Sequence, residues 1–202
     1  MQIVVLPLLL LLQVPHQHHP PRSAEEYAKV LEASSRDAWQ KPHEVIQALA
    51  LRPDEVVADI GAGSGYFTRR LARHVAKVYA VDIDAKLLEK AKASAGDNVE
   101  TVLATPDDPK LPPASVDTIF ICDVLHHIDG RPAYYEKLKQ ALKPGGRVVN
   151  IDFHKRPLPV GPPVSMKLSA EEVRREFEAA GLRLDKEHDL LPHQYFQEFR
   201  LR

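Results

Sequence analysis

The chain has 202 residues, with 27 Lys+Arg set against 28 Asp+Glu. That length suits one domain with a full core, and the near-neutral balance lacks the basic excess that phosphate backbones demand, so no nucleic-acid partner is expected. The one cysteine, Cys122, excludes an internal disulfide framework and any multi-cysteine metal site; it reads as a small buried residue at the end of a strand.

Residues 1–22 differ in composition from the rest of the chain. Ile3 to Leu12 is apolar except for Pro7. As helix these ten residues would cover about 15 Å, half of a ~30 Å hydrocarbon core, so no transmembrane span is expected. The length fits the apolar region of a secretory signal, yet no Lys or Arg precedes it and no small-x-small cleavage site comes after it. Two readings stay open here: a signal segment on an exported or membrane-associated protein, or a disordered leader on a cytoplasmic one. His16, His18 and His19 sit in a proline-rich linker and read as solvated spacer, not as metal ligands.

Residues 23–202 read as a single domain, opened by helices within residues 23–50. Ser23 with Glu26 makes a capping box for the first helix, and a second is predicted from Pro42 to Ala50. Strands and helices then alternate: strand 56–60, helix 66–75, strand 77–83, helix 85–95, strands 99–104 and 116–124, helix 131–142, strand 147–153. The strands are almost continuously apolar, as parallel strands covered on both faces tend to be. Short connections between alternating elements predict an open α/β sheet with right-handed crossovers. The tail departs from this. Ser169 and Glu172 form a second capping box, Gly181 closes that helix, and segments 182–191 and 193–201 follow so closely that they suit an antiparallel hairpin. Residues 154–167, rich in proline, read as a loop after the last parallel strand.

"DIGAGSGYF" (Asp59 to Phe67) ends the first strand, where ligands of open α/β sheets bind. Gly61, Gly63 and Gly65 permit a tight turn and close backbone approach. The dinucleotide fingerprint needs a third glycine where this chain has Tyr66, and no lysine of a phosphate-binding loop is present. Asp82, at the end of the second strand and 21 residues beyond Gly61, can accept hydrogen bonds from both hydroxyls of a ribose, while Asp84 is placed to cap the following helix.

The ordered set "ADIGAGSGYFT", "VYAVDID", "LPPASVDTIFICDVLHHI" and "LKPGGRVVNIDF" resembles the class I S-adenosylmethionine-dependent methyltransferases, over roughly Glu55 to Phe153. The resemblance implies a Rossmann-like, open, mainly parallel seven-stranded sheet with helices on both faces and a C-terminal antiparallel hairpin. It further implies that Asp59, Gly61, Gly63 and Gly65 contact the methionine end of S-adenosyl-L-methionine, that Asp82 binds the ribose, and that Ile83 lies beside the adenine. Where the family often has Gly-Asp-Ala after the third strand this chain has "LATPDDPKLP", leaving Thr105, Asp107 and Asp108 as candidates for the adenine contact. The loop after the fourth strand, with Asp123, His126 and His127, would face the reacting centre.

A sulfonium already activates its methyl group, so alignment of an acceptor is the larger task, worth on the order of 7–11 kcal/mol. A general base adds roughly 3–5 kcal/mol, and His126, His127 and His154 are the candidates, with Asp123 lining the site. The Asn/Asp-Pro-Pro-aromatic loop of amino-methylating DNA enzymes is absent, and one thiol does not suit arsenite methylation. A small-molecule acceptor is therefore expected, framed by the N-terminal helices and the 154–167 loop, with no metal. The rival readings are a non-catalytic cofactor-binding or scaffold protein and an NAD(P)-dependent oxidoreductase, the latter opposed by Tyr66 and by the terminal hairpin.

Overall fold

The computed structural model describes residues 24–201; the apolar leader, the His/Pro linker and the predicted Ser23 cap lie outside them. Three helices come first, α1 (Ala24–Leu31), α2 (Ser35–Gln40) and α3 (Pro42–Leu49). The alternating region comes next as β1 (Val56–Ile60), α4 (Thr68–Leu71), β2 (Lys77–Asp82), α5 (Ala85–Ser94), β3 (Val99–Leu103), β4 (Val116–Cys122), α6 (Arg131–Ala141) and β5 (Leu142–Phe153). The chain closes with α7 (Ala170–Ala179), β6 (Leu182–His188) and β7 (Gln194–Leu201).

The strands make one seven-stranded sheet in the order β3-β2-β1-β4-β5-β7-β6. β1 to β5 pair in parallel, and β7 inserts antiparallel between β5 and β6. The order reverses between β1 and β4, so the carboxyl ends of those strands open the crevice in which such sheets bind ligands. Alternation along each strand divides the core in two. Val57, Phe120, Val149 and Phe196 pack under α3, α4 and α5. Ala58, Ile119, Val148 and Phe199 pack against α6 and α7 through Tyr135, Leu138 and Phe177. Each fully buried Leu or Phe contributes about 1.5–3 kcal/mol, which makes this sandwich a rigid platform for the strand ends. Among the described residues no helix is long and apolar enough to cross a membrane.

Three segments differ from the sequence reading. The helix expected over 66–75 is regular only from Thr68 to Leu71; beyond it, Arg73 and His74 donate to the carbonyls three residues back, a tighter turn than α-helix. Tyr66 and Phe67 stay in the preceding turn, ring edge to ring face at 5.1 Å. α2 has no sequence signal: it starts without a side-chain cap and stops at Lys41, which turns left-handed at φ 44°. β5 reaches back to Leu142 through "KPGG", with a register shift opposite Val116–Thr118 and Gly145 at φ 78° absorbing the irregularity. The capping box of Ser169 and Glu172 is formed, with both reciprocal hydrogen bonds present.

Candidate functional site at the strand carboxyl ends

The glycine turn is fixed by sterics and by one carboxylate. Gly61, Gly63 and Gly65 all have positive φ, at 69°, 54° and 92°. A Cβ on Gly61 would run into a Val124 methyl group, and one on Gly65 would lie 2.9 Å from the Cα of Ala91, so neither position admits a side chain. The Gly61 and Ala62 N–H groups donate to the carbonyl of Val81, tying the turn to β2. Asp82 then holds it from the side: one oxygen accepts from the Gly63 N–H at 2.8 Å, the other from the Asp84 N–H at 2.9 Å. Asp84 caps α5 by accepting from the N–H groups of Lys86 and Leu87. Asp84 thus takes the cap expected of it, and Asp82 ties the glycine turn to the end of β2. Burial raises the Asp82 pKa despite these hydrogen bonds.

Asp59 sits beneath the turn, 3% exposed, where it accepts from the Thr68 hydroxyl at 2.6 Å. Its burial pushes the pKa up to about 7, with Asp82 adding to the rise. On the outer side, Ile83, just past β2, is 61% exposed and Leu103, the last residue of β3, 58%. Thr105 donates its hydroxyl to Asp107 at 2.8 Å and closes a small turn with Asp108. Asp108 bonds Lys110, and Lys137 Nζ donates to the Asp107 carbonyl. This turn is exposed and internally bonded, held to α6 by Lys137.

The second half of the site lies beyond β4 and β5. Asp123 is held in the left-handed region, φ 61°. It accepts a hydrogen bond from the Gln194 amide and lies 3.6 Å from the Arg36 guanidinium. Burial pushes its pKa up to about 7, with Arg36 opposing the rise and Asp152 adding to it. Gln40 donates to Gln194 at 2.7 Å and to the Cys122 sulfur at 3.3 Å. Cys122 is buried at the end of β4, as its residue type implied. His126 lies in a single 3-10 turn over Leu125–His127. Its Nδ1 faces both oxygens of Asp152, at 2.9 and 3.0 Å, and the two side chains are 3% and 0% exposed. His127 is exposed, its ring centroid 4.2 Å from that of His126. His154 lies past β5, bonded through its N–H to the His193 carbonyl; burial and Arg156 lower its pKa.

The N-terminal helices close over the turn. Glu32 accepts from the Ser64 hydroxyl and from Arg69, and Asp37 accepts from the Tyr66 hydroxyl. The guanidinium carbons of Arg36 and Arg70 each lie 4.1 Å from the Tyr66 ring centroid. Leu31 would be 2.8 Å from a Cβ on Gly63. None of Glu32, Arg36 or Asp37 is singled out by the sequence, because each acts through residues far along the chain. The one available signal was Tyr66, an aromatic in place of the dinucleotide glycine, which needs partners above it. The polar recess at the amino ends of β2 and β3, lined by Lys77, Lys92, Asn98 and Glu100, is wide open and lies at the opposite end of the strands.

The sheet order with an antiparallel β7 beside β5, and glycines at the end of β1, define a Rossmann-like fold with a nucleotide-type cofactor crevice. Residues 58–150 match the methyltransferase domain family. The chain is 32% identical over 132 residues to the 27-O-demethylrifamycin SV methyltransferase of Amycolatopsis mediterranei, covering 62% of this chain and 47% of that protein. It is 30% identical over 123 residues to the ubiquinone/menaquinone biosynthesis C-methyltransferase of Hahella chejuensis, covering 57% and 49%. It therefore spans about half the length of these curated relatives. In fold it is similar to a SAM-dependent methyltransferase from Aquifex aeolicus, with a TM-score of 0.79 at 24% identity over 89% of this chain and 98% of the other. Residues 58–150 are thus similar to a methyltransferase domain, on a fold that S-adenosylmethionine-dependent methyltransferases share.

Proposed function

We propose that the protein transfers a methyl group from S-adenosyl-L-methionine to a small-molecule acceptor. The observation that carries this reading is the glycine turn of positive-φ residues whose Gly63 N–H is held by the Asp82 carboxylate. Gly61 and Gly65 let the turn pack directly on Val124 and on the Ala91 backbone, where a Cβ would clash, and this holds the turn backbone at the carboxyl end of β1, where such sheets bind ligands. In this reading Gly61, Gly63 and Gly65 approach the methionyl end and Asp59 braces the turn from below through Thr68. Asp82 turns a carboxylate oxygen to the ribose hydroxyls. Ile83 offers an apolar surface to the adenine, and Thr105 and Asp107 lie on the loop that would border it. Asp123 lines the methyl side.

When bound, S-adenosylmethionine supplies a methyl group already activated by its sulfonium. The chain's task is then to bind, align and desolvate, and helices α1 and α2 would exclude water from the turn by the contacts of Glu32, Arg36 and Asp37. The relatives are named for methylation in ubiquinone/menaquinone biosynthesis and of a rifamycin, which supports a small-molecule acceptor here. The 154–167 loop and the N-terminal helices would frame its pocket, with His126, His127 and His154 as the candidate bases beyond the strand ends. Incubation with methyl-labelled S-adenosylmethionine and a panel of small O-, N-, S- and C-nucleophiles tests the reading. Label should move to at least one acceptor class; label retained on the donor throughout, with full cofactor binding, would favour a non-catalytic binder.

A further inference from the structure

His126 and Asp152 come from different strands and meet at the carboxyl ends of β4 and β5. Asp152 is fully buried on β5, with its own Oδ1 further fixed by the Phe153 N–H at 2.8 Å. Both of its oxygens face Nδ1 of His126. With Asp152 as the acceptor of this hydrogen bond, Nδ1 carries the proton and the neutral ring keeps its lone pair on Nε2. The side chain of His126 is 3% exposed, so the ring is shielded and set in one orientation. A latch between two strand ends needs only a hydrogen bond; it does not need a titratable ring beyond the carboxyl ends of β4 and β5.

We propose that His126, oriented by Asp152, is the general base of the methyl transfer, and that the acceptor bears an acidic hydroxyl of phenolic or enolic type. This rests on the methyltransferase reading. The Nε2 lone pair takes the hydroxyl proton while the oxygen forms its new bond to the methyl carbon. The electron pair of the breaking S–CH3 bond stays on sulfur, leaving a neutral thioether and an imidazolium that returns its proton to solvent. Phenols ionise near pH ~10, within a few units of imidazole, whereas aliphatic alcohols lie much farther away; proton transfer is efficient where that gap is small. Asp152 is the positioning residue.

The groups acting on His126 are Asp152 from β5, Asp123 from the end of β4 and Lys167 from the segment before α7, with the His127 ring alongside. Burial lowers the imidazole pKa, and the two aspartates outweigh it, so the net direction is upward. The rate should therefore climb with pH through a midpoint above the ordinary histidine value of 6.5.

Nitrogen-15 NMR of the ligand-free protein reads the dyad directly. Wild-type His126 should be protonated at Nδ1 when neutral, and Asp152→Asn should lower its titration midpoint. S-adenosylhomocysteine affinity should stay within about twofold in Asp152→Asn and His126→Gln, while kcat on a phenolic acceptor falls by about 10²–10⁴-fold in His126→Gln with little change in KM. The acidic limb of the pH–rate profile should move down in Asp152→Asn. The proposal is overturned if His126 is protonated at Nε2, if its titration ignores Asp152→Asn, if His126→Gln keeps wild-type kcat, or if wild type methylates only acceptors with no removable proton. Should Asp152→Asn not fold, the wild-type tautomer and the His126→Gln rates still decide. Failure of wild type to bind S-adenosylhomocysteine would instead sink the methyltransferase reading itself.

Discussion

The two sides of the crevice are built by different means. At the ends of β1 and β2 the site is backbone, shaped by three positive-φ glycines and tied by one carboxylate. At the ends of β4, β5 and β7 it is side chains: Arg36, Gln40, Asp123, His126, Asp152 and Gln194, drawn from segments spread across the whole chain. A backbone cradle can be broken by adding atoms. A side-chain network is broken by removing them, and its members can be exchanged without disturbing the turn.

The largest effect is expected from Asp82→Ala. It removes a half-buried acceptor from two backbone N–H groups and the partner proposed for the ribose. With charged hydrogen bonds worth about 1.5–3 kcal/mol each, cofactor affinity should fall by roughly 10²-fold or more in a calorimetric titration. Gly65→Ala comes next. A left-handed alanine costs about 1–2 kcal/mol and a clash with the α5 backbone about 1–3 more, which denaturant unfolding should register as a loss of roughly 2–5 kcal/mol. If either variant instead behaved as wild type, the cradle would not be backbone-defined.

A pH experiment separates the buried carboxyl beneath the turn. The folded protein holds the Asp59 proton up to about pH 7, whereas an unperturbed Asp releases it at 3.8. The stability this group contributes is therefore complete below that lower value and lost as pH rises through 7. Melting temperatures between pH 5 and pH 8 should fall less in Asp59→Asn than in wild type. An equal fall in both would show that Asp59 is ionised in the fold. The smallest effect is expected at Glu32, whose partners Ser64 and Arg69 tie α1 to the turn near the surface. Exposed pairs of this kind contribute about 0–1 kcal/mol, so Glu32→Ala should barely alter unfolding while loosening α1, seen as faster amide exchange around Leu31.

The same contrast explains what could be read from sequence. β1, β2, β4 and the second half of β5 announce themselves as apolar runs because both faces of a central parallel strand are covered. Gly61, Gly63 and Gly65 are legible because glycine takes positive φ at no steric cost, and Asp82 and Asp84 because their spacing from turn and helix is fixed. α2 and Arg36 are not legible: the helix has no side-chain cap, and the role of Arg36 exists only once Tyr66 and Asp123 are folded beneath it. The pairing of His126 with Asp152 depends on β4 and β5 being neighbours in the sheet, a fact of topology. The shortening of α4 follows from tertiary packing of Tyr66 and Phe67, which overrides a good helical pattern.

Calorimetric titration of the wild-type protein with S-adenosylhomocysteine, run beside NADH, addresses the central claim most directly. We expect saturable one-to-one binding of S-adenosylhomocysteine, lost in Asp82→Ala, and no heat from NADH. Binding of NADH without S-adenosylhomocysteine, or binding of neither, would contradict the account.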